Sequence, residues 1–326
     1  MVSQMSFREL AKVSSRGVWS LIILFACTLN STAVVAEDSL GQMLRDVAAG
    51  GSVEQLNVLL RKGANIDAPG KYGKRPLMFA AESGNTDVVA TLLAQGAEVN
   101  ARTKTGDTAL LYAVEHGHSG VTALLIELGA NVHDRNRSGN DSLMLAAKKG
   151  DALIAAQLLE FGADVRSSDT NGNTALMHAV NAGHLAVIEA LFKYSSQVAP
   201  CLPNNSGHTP LMTAINRNFD AAIEILLPKT KSVNFQDNFG ATVLHYAAEK
   251  GRLETVKSLL EHEAKINIKD EEGSTPLIYA IRGGHSEVAA FLLQHGADKA
   301  VVNGSGKSAL DIARENEEDG LVQLLQ

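Results

Sequence analysis

Few residues of this 326-residue chain have types and spacing that could do chemistry. Gly304-Ser305-Gly306-Lys307-Ser308 ends like a phosphate-binding loop, in which backbone N–H groups cradle phosphates and the lysine reaches them. The full motif needs glycine five residues before Gly306, and that position is Val301, with no strand pattern before it. Ten histidines raise the question of a metal, yet no Cys/His cluster has a zinc-like spacing. His116 and His118 are two residues apart and cannot share a helix face. There is no Gly-x-Ser-x-Gly elbow, and the acids are scattered instead of converging. Asn140-Asp141-Ser142, Asn204-Asn205-Ser206 and Asn303-Gly304-Ser305 fit a glycosylation acceptor but read as turn chemistry. The reading assigns no catalytic residue, no metal ligand and no cofactor.

The elements that would have to position any site are periodic. Gly73, Gly106, Gly139, Gly172, Gly207, Gly240, Gly273 and Gly306 recur every 33 residues, with one step of 35. Such a period marks a stack of supersecondary units, and a stack offers a long surface instead of a cleft. After each glycine comes a block such as Thr209-Pro210-Leu211. Its Thr or Ser suits a helix N-cap, and Pro76, Pro210 and Pro276 fall at the first helical position. Leu77, Leu110, Leu143, Leu176, Leu211, Leu244, Leu277 and Leu310 supply one core position per unit. Ala80, Ala113, Ala146, Ala179, Ala214, Ala247, Ala280 and Ala313 keep these first helices thin. A second helix follows with apolar residues at helical spacing (Val88, Val89, Leu92, Leu93), ending at glycines such as Gly96, Gly129, Gly162 and Gly296. The stretch to the next glycine, for example 97–105, reads as a projecting hairpin.

Eight copies in one register closely resemble the ankyrin repeat family over about residues 40–326. The resemblance implies an all-α solenoid of about nine stacked helix–turn–helix units with hairpin loops. The expected division is an N-terminal cap at 40–69, repeats 73–105, 106–138, 139–171, 172–206, 207–239, 240–272 and 273–305, and a C-terminal cap at 306–326. The family's Thr-Pro-Leu-His histidine is kept at His245. Met78, Leu111, Met144, Met177, Met212, Ile278 and Asp311 stand in the other units. The fifth repeat lacks the Gly-Ala ending and carries Pro200, Cys201 and Pro203. The sixth has Pro228 in the same region, and Glu263 replaces the glycine of the seventh. These departures read as tolerated loop variation, as a local change of curvature or as a partner-specific bulge.

Residues 1–36 stand outside the repeat. Arg8, Lys12 and Arg16 precede an uncharged run through Leu29, and Val34-Val35-Ala36 ends in small residues. This reads as a signal peptide cleaved after Ala36. Two alternatives stay open: lipidation at Cys27, in the lipobox-like Leu24-Phe25-Ala26-Cys27, or a retained anchor over 18–36. All three place the repeats outside the cytoplasmic membrane, in a bacterial periplasm or beyond. Cleavage would leave 26 basic and 35 acidic residues, a net charge of −9, which disfavours nucleic acid and anionic lipid as partners. Only Cys201 would remain, so no internal disulfide could form.

By family resemblance the concave face, built from hairpin tips and the last turns of the first helices, engages partners. Carried onto this chain it gives Tyr72, Lys74, Lys104, His116, Arg137, Asn140, Lys148, Lys149, Asn173, His208, Arg217, Phe239, Lys250, Glu271, Glu272 and Arg282. Tyr72 and Phe239 on hairpins are candidate interface anchors. The expected function is a non-catalytic, monomeric scaffold that binds another protein and inhibits a periplasmic hydrolase. Alternatives are a stabilising factor for an exported enzyme, such as a redox enzyme, and a secreted effector that binds a host protein. Leu176→Ala is expected to destabilise the chain by about 2–5 kcal/mol. Tyr72→Ala and Phe239→Ala should leave melting unchanged while weakening partner binding. Thermal melts of the three variants check this, and equal losses would contradict the surface assignment.

Overall fold

A computed structural model describes residues 39–326; the leader readings, including cleavage after Ala36 and lipidation at Cys27, lie outside the described residues. The described chain is all-helical, eighteen α-helices in nine antiparallel pairs. The first pair is α1 (39–50) and α2 (Val53–Arg61). Then come α3 (Pro76–Ser83) with α4 (Thr86–Ala94), α5 (Ala109–Glu115) with α6 (Ser119–Glu127), and α7 (Ser142–Lys149) with α8 (Ala152–Glu160). The middle of the array is α9 (Ala175–Ala182) with α10 (Leu185–Tyr194), and α11 (Pro210–Asn216) with α12 (Asp220–Leu226). It closes with α13 (Val243–Glu249) and α14 (Leu253–Glu261), α15 (Pro276–Arg282) and α16 (Ser286–Gln294), and α17 (Ala309–Glu315) and α18 (Asp319–Leu325). No helix of the described residues is long and apolar enough to cross a membrane.

The helices start where the sequence supplies caps. Thr108, Thr174, Thr209 and Ser308 each accept the N–H three residues on, and Asp141 does the same for α7. Helices of seven to twelve residues are too short to persist alone in water, so packing must hold them. Odd-numbered helices from α3 onward stack on one another as an inner layer, and even-numbered helices form the outer layer. The alanines of the repeat block are fully buried, which lets inner backbones approach closely. Its leucines from Leu77 to Leu277 are at most 2% exposed, whereas Leu310 on α17 is half-buried, with no inner helix stacked beyond it among the described residues. Fully burying one such leucine contributes about 1.5–3 kcal/mol.

The methionines that replace the repeat histidine, Met78, Met144, Met177 and Met212, are buried, so apolar packing fills those positions. The extra residues of the fifth unit stay in the loop after α10. In the sixth, α12 stops early in a 3₁₀ turn at Leu227–Lys229. Between α12 and α14 lies a cleft of about 420 Å³ floored by Ile223, Leu227 and Pro228. Glu263 takes the place that glycine holds elsewhere and adopts the same left-handed backbone, φ 61°. A residue with a Cβ is strained there. Glu263→Gly should therefore raise stability by about 1 kcal/mol, read as a higher urea midpoint at unchanged slope; an unchanged or lower midpoint would refute the strain.

Candidate functional site

Each hairpin is closed by a backbone bond between residues four apart, as in Asn136 N–H to Asn140 O and Asp237 N–H to Ala241 O. A side chain inside the turn reinforces it. Asp169 Oδ1 accepts from the N–H groups of Asn171 and Asn173, and Asn136, Asn204, Asp237 and Asn303 repeat the pattern. Successive tips are then tied to each other. Lys104 N–H donates to Tyr72 O, Arg137 to Thr105, Thr170 to Ser138, Asn205 to Asn171, Asn238 to Ser206, Glu271 to Phe239, and Gly304 to Glu272. The result is one continuous hydrogen-bonded row of tips along one edge of the array.

The second oxygen of three turn acids reaches over to the inner helix. Asp169 Oδ2 meets His178 Nε2 at 3.0 Å, Asp270 Oδ2 accepts from the Tyr279 hydroxyl at 2.8 Å, and Asp237 Oδ2 accepts from Tyr246. His208 Nε2 lies 3.3 Å from both Asp237 Oδ2 and the Tyr246 hydroxyl. Lys74 is held by Glu82 and sits over the rings of Phe79, at 4.5 Å, and Tyr112, at 4.2 Å. Phe79, Tyr112, His178, Tyr246 and Tyr279 thus line the crease between hairpins and inner helices, each half-buried. This row was missed from sequence. Its signal was present, since all five occupy the fifth place of the block that starts with the cap residue, where aromatic or imidazole rings are spaced by the repeat.

The residues selected from sequence differ in exposure. Tyr72, Lys104, Arg137, Phe239, Glu271 and Glu272 are exposed on the tips, and His116, Lys149, Arg217, Lys250 and Arg282 are exposed at the ends of inner helices. Tyr72 is 62% and Phe239 68% exposed, and neither folds away from solvent. Arg137 Nη2 donates to Lys104 O at 3.0 Å, and Arg217 clasps Asn181 Oδ1 through Nε and Nη2. His116 bonds back to Tyr112 O, and Arg282 lies 5.3 Å from the Tyr279 ring centre. Lys74, Lys148, Asn173 and His208 are half-buried and tied into the array. Asn140, selected as free surface, is 7% exposed; its N–H is held by the turn and its Oδ1 accepts from Lys148 Nζ at 2.6 Å.

The other candidates for chemistry have structural partners. Lys307 pairs with Glu315 at 2.7 Å, and Ser308 caps α17. The rings of His118, His184 and His285 donate from Nε2 to the last-turn carbonyls of Glu82, Lys148 and Glu249, clamping each outer helix to the preceding unit. Gly150 is required by this clamp: its φ is +82°, and a Cβ there would stand 2.6 Å from the His184 ring. Among the described residues no group of three or more His, Cys, Asp or Glu could hold a metal ion.

Burial governs the titration of these groups. It raises Tyr112 to about 12, helped by Asp107, Glu82 and Glu115, and raises Tyr246 and Tyr279 as their acids hold the hydroxyl protons. Burial lowers Lys148 despite the nearby Asp169 and Glu115. Burial also opposes ionisation of Asp169, but the N–H groups of Asn173 and Asn171 and the His178 ring outweigh it and bring Asp169 below its usual range. Burial and the Lys148 charge outweigh Asp169 at His178, which is lowered. His245 is likewise lowered by burial: Nδ1 accepts from Thr242 N–H at 3.0 Å and Nε2–H donates to Ser274 O. His178 Nε2 is committed to Asp169 Oδ2 within the array. The arrangement presents rings, cations and acids in order along the crease between tips and inner helices.

Models of the family described as "Ankyrin repeats (3 copies)" match residues 44–136, 120–200, 143–237, 194–270, 220–303 and 267–326. The chain belongs to the ankyrin repeat family. It is also similar to the crystal structure of the ankyrin repeat domain of Bcl-3, described as a unique member of the IkappaB protein family. That likeness has a TM-score of 0.60 and 26% identity over 68% of this chain and 98% of that one. No curated protein matches. Ankyrin repeat proteins are typically non-catalytic interaction modules, and the chain is a protein–protein interaction scaffold of this kind.

A histidine whose pKa is lowered by folding binds its proton more tightly when unfolded, so stability rises with pH across that window. The contribution of His245 is full above the unfolded value of 6.5 and is lost as pH falls through the lower folded value. Melting should therefore drop between about pH 7.5 and pH 5, and His245→Met, which installs the residue found in four other units, should flatten that drop. An equally steep drop in the variant would remove His245 as a source.

Proposed function

We propose that the chain is an exported ankyrin repeat protein that docks on another protein of the cell envelope through its concave face and occludes it. The target in this reading is a periplasmic hydrolase. The observation that supports it most is the pair of exposed aromatic rings, Tyr72 and Phe239, carried on tips that are themselves hydrogen-bonded into a rigid row. Rigid presentation lowers the ordering cost of docking, and aromatics and arginines are the usual anchors of interfaces. The apolar leader with its basic start and small-residue end supports export. The acidic balance of the chain speaks for a protein instead of a polyanion.

The test is affinity capture from the native envelope fraction, using the full chain with a C-terminal tag and a Tyr72→Ala/Arg137→Ala/Phe239→Ala control. The expected result is one stoichiometric protein, lost in the control, whose hydrolytic activity falls to background at equal stoichiometry. A captured enzyme whose yield rises and whose activity is untouched would replace inhibition with stabilisation. Identical captures by bait and control would reject the concave face.

A further inference from the structure

The tip row carries a sign order along its length. The first residue of successive tips is Lys71, Lys104 and Arg137 in the first three, uncharged in the next three, and Glu271 in the seventh, followed by Glu272. All five charged side chains are exposed, and the two exposed rings lie on the first and sixth tips, Tyr72 among the bases and Phe239 on the tip before the acids. Several neighbouring charges are engaged, Lys74 by Glu82, Asp107 by Thr103 and Thr105, Asp237 by Tyr246, and Asp270 by Tyr279, while Lys269 beside the acidic tip is exposed. The backbone row holds the tips that carry these charges in sequence order.

We propose that this row is a polarity gauge for one extended polypeptide segment of the partner, with acidic residues over the first three tips and basic residues over the seventh. This rests on the reading of the concave face as a protein-binding surface and adds the partner's charge order. At physiological ionic strength the screening length is about 8 Å, close to one helix-packing step of about 9 Å. Each tip therefore senses the partner charge directly above it, and the row reads a local order of signs instead of a net charge. Six steps separate the first tip from the seventh. At about 9 Å a step and about 3.3 Å per extended residue, the segment spans about 16 residues.

The probes are two labelled peptides of about 20 residues with the same composition. One has six Glu at one end and six Lys at the other around a Ser/Tyr spacer; the second alternates the same residues. By fluorescence anisotropy with the full chain in about 0.15 M salt, the segregated peptide should bind at least about tenfold tighter than the alternating one. Lys71→Gln/Lys104→Gln/Arg137→Gln should erase that preference. The inverted chain, Lys71→Glu/Lys104→Glu/Arg137→Glu/Glu271→Lys/Glu272→Lys, should regain it, because the peptide can turn end for end. A role in folding alone would not be rescued by inversion, and thermal melts check that every variant is intact. If the inverted chain melts early, Glu271→Gln/Glu272→Gln tests the acidic end on its own and should also erase the preference. Equal binding of the two peptides overturns the proposal, as does an all-Glu peptide that binds as tightly as the segregated one. Failure here alongside successful capture removes only the charge order; failed capture removes the docking surface itself.

Discussion

A pair of such short helices cannot bury its own leucines, and every other feature of this chain follows from that shortage. Leu176 and Met177 are buried on α9, which is packed against α7, α10 and α11. The fully buried alanines set how close those helices come. Close approach in turn brings successive hairpins within reach of a single backbone hydrogen bond. The tip row is thus a consequence of core packing, and a cavity in the inner layer would be felt at the binding edge.

The turn acids link the two. Asp169, Asp237 and Asp270 use one oxygen to hold their own hairpin and the other to hold a ring on the inner helix. A single side chain so fixes both walls of the concave crease. The cost is burial of charge, offset by two or more hydrogen bonds to each carboxylate. The same economy of contacts appears on the outer side, where His118, His184 and His285 each lock an outer helix to the unit before it.

Where the repeat pattern lapses, the structure relaxes locally and not globally. Glu263 adopts the backbone of the glycine it replaces, so register survives at the expense of strain. Pro228 shortens α12 and leaves the cleft beside α14, but α11 and α13 still stack. The inner layer therefore tolerates irregularity in the outer one.

The amino-acid pattern by itself determined the unit, because cap, proline, leucine, alanine and glycine each answer a requirement of local backbone geometry and recur in one register. Fold class, the buried leucines and the exposed position of Tyr72 and Phe239 were all legible in that way. The crease was not. Phe79, Tyr112, His178, Tyr246 and Tyr279 share the fifth place of their blocks, but they become a surface only when successive units stack side by side. Asn140 shows the converse: a polar residue beside a turn reads as free, yet its environment is set by Lys148 eight residues on, across the hairpin and one helix. Local backbone preferences are short-ranged and written in the chain, whereas burial, pairing and the order of charges along the tips depend on distances that only the stacked array defines.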